Sequence, residues 1–143
     1  MGADTIIQFL KPIQDHAQPP NRPYLIDEKY AVLPQLVSIN PELKEFSEAY
    51  EMIPKLKVCI TGPIELYLHT EVCPFVSEEL LMNLAECVQI FIRKAFTSVE
   101  AAEICVVSID EPSLGLTDLG VWEEDMLIRA LQKSVSTKNR VTT

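Results

Sequence analysis

At 143 residues, 48% apolar and 23% charged, the chain is long enough for one packed domain but too short for a closed (β/α)8 barrel, which takes roughly 250 residues. A formal charge of -9 and a pI near 4.6 set up a field that repels phosphate backbones and anionic headgroups, which argues against nucleic-acid and membrane partners. No apolar stretch approaches the roughly 18 residues of a spanning helix, and the start MGADTIIQFLKP lacks the basic region and apolar run of a signal peptide, so a cytoplasmic location is expected.

Residues 1–39 read as an N-terminal proline-rich arm. A short strand from Thr5 to Leu10 gives way to extended or irregular chain carrying Pro12, Pro19, Pro20, Pro23 and Pro34. Residues 40–143 read as the main domain. Asn40-Pro41-Glu42 suits a helix start: Asn caps, Pro fits the first helical position, and Glu complements the dipole. Leu43, Phe46 and Tyr50 would form the inner face of that helix.

The β-branched run Lys57 to Thr61 predicts a strand that stops at Gly62-Pro63. Ser77 caps a long helix in which Leu81, Leu84, Ala85, Val88, Ile92 and Ala95 recur at helical spacing. The run Ile104 to Ile109 is apolar except for Ser108, the pattern of a parallel strand covered on both faces; it stops at Asp110-Glu111-Pro112. From Glu123 to about Val135, Met126, Leu127, Ala130, Leu131 and Val135 again keep helical spacing, and the tail STKNRVTT carries no regular signal. The order α-β-α-β-α predicts an α/β fold of parallel strands joined by right-handed crossovers, a partial TIM-barrel-like arrangement.

Cys59, Cys73, Cys87 and Cys105 form no C-x-x-C pair, so neither a closed zinc site nor a redox pair is expected. Cys59, Cys87 and Cys105 lie among apolar neighbours and read as buried small hydrophobes; Cys73, in the loop EVCPF, reads as the solvent-reachable one.

In parallel α/β folds ligands bind beyond the carboxyl ends of the strands, and two loops qualify: T-G-P at 61–63 and D-E-P-S-L-G at 110–115. Asp110 and Glu111 follow directly on an apolar strand, and adjacent carboxylates there can bind an amine, orient a ligand or hold a cation. Alternatively they meet solvent, cap the next turn or pair with a lysine.

The segment KVCITGPIELYLHTE, followed by a long amphipathic helix and then VVSIDEPSLG, resembles the central part of the cobalamin-independent methionine synthase superfamily over roughly residues 40–132. That family reads lysine, apolar run and T/S-G-P, then a helix, then an apolar strand ending in D-E-P-A-L. The resemblance implies a methyltransferase barrel in which a thiol such as homocysteine is activated on zinc and methylated by a folate or corrinoid donor. It gives Asp110 the role of contacting the substrate amino group, Glu111 a part in shaping the loop, and Gly62 and Pro63 the sharp turn at the barrel mouth.

The family's zinc is held by an H-x-C motif on the next strand and by a later glutamate and cysteine. This sequence has no H-x-C, and His16 and His69 stand in other contexts, although His69 is placed to be a second-sphere group. No cofactor is therefore expected on this chain alone. The implied protein is a truncated or split relative, inactive by itself, that joins a second barrel-completing subunit or a homo-oligomer. The competing expectation is a non-catalytic assembly module that self-associates through its half-barrel core, because open strand edges tend to pair. Porphyrin decarboxylation, which the same superfamily barrel also serves, is disfavoured by the lack of clustered basic residues.

Overall fold

A computed structural model of the chain describes residues 3–17, 22, 24–70, 77–115 and 122–136. Helix α1, Ala3–Asp15, replaces the strand and extended arm expected there. Ile6, Phe9, Leu10 and Ile13 recur at i, i+3, i+4 and i+7 and are buried in the same core as the rest of the molecule. Pro12 lies inside the helix. An interior proline costs about 3 kcal/mol, whereas four buried apolar side chains each contribute about 1.5–3 kcal/mol, so burial wins. Chain then runs over Tyr24 to Leu33, with a bridge between Ala17 and Ile26, and is held to the core by Leu25, Ile26, Ala31 and Leu33.

Helix α2, Pro34–Tyr50, starts seven residues earlier than expected and has Pro34 in its first turn. The expected boundary at residue 40 therefore falls inside a helix, and Asn40 caps nothing on α2. Its amide instead donates to the Ser98 carbonyl (2.8 Å) and its Oδ1 accepts from the Glu100 N–H (3.3 Å), joining α2 to the end of a later helix. Of the expected inner face only Leu43 is buried, while Phe46 and Tyr50 pack against each other at a tilt, exposed to solvent.

Strand β1 is Lys55–Thr61, α3 is Pro63–Leu68, α4 is Glu78–Ser98, β2 is Glu103–Asp110 and α5 is Glu124–Val135. The Ser77 cap is as expected: its hydroxyl accepts from the Leu80 N–H. All six residues expected on the inner face of α4 are buried. On α5, Met126 and Ala130 are buried with Ser134, whereas Val135 is exposed.

The two strands pair in parallel, from Lys55 opposite Glu103 to Thr61 opposite Asp110. Between Leu56 and Lys57 the partner jumps from Ile104 to Val106, so Cys105 is an extra residue in β2. Helix α4 covers one face of the sheet, over Val58, Ile60 and Ile104, with Val107 and Ile109 packed at its margin. The other face is exposed at Cys59, Cys105 and Val106 but closed at its carboxyl end, where Thr61 is 1% exposed. Cys59 and Cys105 are exposed and Val106 is 50% exposed, so β2 is not covered on both faces and two of the three cysteines expected inside are outside. Cys87 is buried as expected, and burial pushes its thiol up to about 12. Cys73 and residues 137–143 lie outside the described residues. The architecture is thus mixed α/β with alternating helices and strands around a two-stranded parallel sheet. Among the described residues no helix is long and apolar enough to cross a membrane.

Candidate site at the carboxyl ends of the two strands

Both expected loops leave the same end of the sheet, because the strands are parallel and in register there. The Gly62 N–H donates to the Asp110 carbonyl (2.9 Å), extending the ladder one residue past β1. Gly62 is the N-cap of α3, and Pro63 occupies the first turn, where a missing N–H costs nothing. All of Pro63 to Tyr67 is buried, so this short helix is set into the core rather than laid on it.

Glu111 reaches back across Gly62 to that helix start. Its Oε1 accepts from the Ile64 N–H and its Oε2 from the Glu65 N–H, both at 3.1 Å. These are donors that the first turn of a helix leaves unsatisfied. A Cβ on Gly62 would lie 1.6 Å from Glu111 Oε1 and 2.6 Å from its Cγ, so glycine is required by the crossing side chain. Glu65 answers in the opposite direction. It is only 5% exposed; its Oε2 accepts from the Ser113 N–H (3.2 Å) and its Oε1 is 3.0 Å from His69 Nε2. Each loop therefore carries a glutamate that ties up backbone donors of the other. Burial pushes the Glu111 carboxyl up to about 8 against the pull of its two N–H donors, and the nearby Glu65 charge adds to the rise.

Asp110 is held differently. Its backbone is fixed by Gly62, but among the described residues no hydrogen bond or ion pair engages its half-buried carboxylate. The expected site residues Gly62, Pro63, Asp110 and Glu111 thus come together, with Glu111 turned inward onto α3 and Asp110 left available. Glu65 went unnoticed in the sequence reading. The signal for it was an acid three residues after the glycine that opens a helix. His69, expected as a second-sphere group, sits at the end of α3 against Glu65. Its neighbour Tyr67 packs edge-on against Trp122 and accepts from the Ser77 N–H (2.8 Å), linking α3 to the start of α4.

No family model, curated protein or solved structure matches this chain. Among the described residues no three His, Cys, Asp or Glu side chains converge as a metal-ligand group. The chemistry within reach of the described residues is recognition of a cation or ammonium by one carboxylate on a braced turn.

Proposed function

We propose that the chain supplies one half-barrel of a split methionine-synthase-like methyltransferase and binds the ammonium of an amino-acid thiol such as homocysteine through Asp110. Zinc ligands and the folate or corrinoid methyl donor belong, in this reading, to the chain that completes the barrel. The observation that carries it is that no hydrogen bond or ion pair engages the Asp110 carboxylate among the described residues, at the end of β2, on a loop whose backbone is held by Gly62 and whose neighbour Glu111 is tied to α3. A preorganised carboxylate of this kind gains a charge-assisted hydrogen bond worth about 1.5–3 kcal/mol on meeting an ammonium.

Calorimetric titration of homocysteine and of methionine into the wild type and Asp110→Asn tests it, alone and with a candidate completing subunit. Affinity is expected to fall roughly ten- to a hundred-fold in the variant. No binding by the wild type in either setting, or equal binding by both proteins, overturns the proposal.

A second reading has its own observation. The partly exposed sheet face and the exposed Phe46, Tyr50, Met52 and Ile53 along and after α2 favour a non-catalytic module that self-associates through the half-barrel core. Sedimentation decides this: a compact monomer at micromolar concentration removes the assembly reading.

A further inference from the structure

A groove of about 460 Å³ lies between α1 and the segment 29–34, separate from the Asp110 loop. Its walls are apolar and unusually exposed for such side chains: Ile7 is 51% and Val32 39% exposed, with Pro12 beside them. At one end His16 and Tyr30 stack face to face, with ring centroids 3.6 Å apart and planes within 5°. Lys11 and Lys29 line the same groove. Each ammonium is steadied by an acid, Lys11 by Asp15 (2.9 Å) and Lys29 by Asp27 (3.8 Å), and Lys29 also lies 5.2 Å from the Tyr30 ring centroid. Asp15 lines the groove and Asp27 stands just outside it, so the two lysines and their partners are locally neutral in a chain of net charge -9, and the two cations on the lining are the groups a ligand carboxylate would meet. A concavity of this size with apolar walls and a few convergent polar groups is the usual form of a small-molecule site.

We propose that this groove binds a small planar aromatic anion, an arene carboxylate of one or two rings, packed against Tyr30 and the apolar walls and paired with Lys11 and Lys29. The flat aromatic pair selects a flat ligand, and the two lysines select its negative charge against the overall field of the protein. This proposal does not depend on the reading of Asp110.

The probe is 2-naphthoate, titrated into the isotopically labelled full chain and followed by amide chemical shifts. Neutral 2-naphthalenemethanol and cationic 2-naphthylmethylamine serve as controls. Shifts are expected to cluster in residues 7–16 and 29–34. Naphthoate should bind roughly five- to ten-fold more tightly than the alcohol, as expected of two solvent-exposed ion pairs, with the preference shrinking as salt rises. Tyr30→Ala should weaken both naphthoate and the alcohol. Lys11→Gln/Lys29→Gln should remove only the preference for the anion, with the amide spectrum confirming that each variant is folded. No saturable binding to the wild type at millimolar naphthoate, equal affinity for the three probes, or shifts clustered elsewhere overturns the proposal.

Discussion

Replacing Gly62 by Ala probes the brace between the two loops, because the glycine backbone is ordinary and its surroundings are not. With φ at -77°, alanine meets no conformational penalty; the obstacle is Glu111, three of whose side-chain atoms fall within 2.6 Å of the new Cβ. Not only the tip but the Cγ must move, so the side chain leaves and the Ile64 and Glu65 N–H groups lose their acceptor. Two hydrogen bonds at about 1 kcal/mol each, together with lost packing over a buried helix start, give a destabilisation of about 2–3 kcal/mol. For a chain of this length that is a melting-temperature drop of roughly 5–10 °C. The control is the same substitution in a Glu111→Ala background, where the obstacle is gone. There Gly62→Ala should be neutral, or stabilising by about 0.4–1 kcal/mol through reduced freedom of the unfolded chain. Urea denaturation of the four proteins closes a double-mutant cycle with an expected coupling of about 2–3 kcal/mol. Equal cost in both backgrounds, or no cost in the wild type, would refute the idea that Glu111 is what demands glycine.

Glu111 also makes stability depend on pH. Its carboxyl titrates near 8 in the folded chain against 4.5 unfolded, so between those values the native state keeps a proton that the unfolded state has lost. The contribution is fully present below pH 4.5 and disappears as pH rises through 8; it amounts to a few kcal/mol at most. Chemical denaturation at several pH values should show this decline in the wild type and a flatter profile in Glu111→Gln; parallel profiles would exclude Glu111 as the source. Helix α1 supplies a third test. Ile13→Ala should cost about 2–5 kcal/mol because Ile13 is fully buried, whereas Ile7→Ala, at a side chain 51% exposed, should cost little; equal small effects would mean that α1 is not part of the core.

The long helices α4 and α5 and the cores of both strands were legible because their apolar spacing and bounding residues agree. The Ser77 cap, the six buried positions of α4 and the turn at Gly62-Pro63 all follow from local chemistry. Helix α1 was hidden by its own proline. Ile6, Phe9, Leu10 and Ile13 carry the helical period, but Pro12 invites reading the segment as a breaker, and only tertiary burial decides against it. Asn40 has the composition of a cap yet serves a contact sixty residues away, which no local rule reveals. At the candidate site the four expected residues were legible as loops at strand ends. The reciprocal use of Glu65 and Glu111 was not, since it depends on parallel register bringing two distant turns together.

The extra residue Cys105 has an effect that reaches the far end of its strand. Side chains alternate with a period of two, so inserting one residue reverses the parity of everything after it. Ile104 faces α4; were Cys105 paired as an ordinary residue of the ladder, residues 106, 108 and 110 would follow it inward. With Cys105 bulged out of the pairing, Val107 and Ile109 take the inward places, and Val106, Ser108 and Asp110 fall on the opposite side. Ser108 there meets Cys59 across the ladder, its hydroxyl 3.1 Å from the sulfur. A deletion at 105 would remove the bulge and leave these side chains facing as they do, whereas pairing Cys105 into a regular ladder would aim the Asp110 carboxylate at the apolar helix and turn Val107 and Ile109 outward.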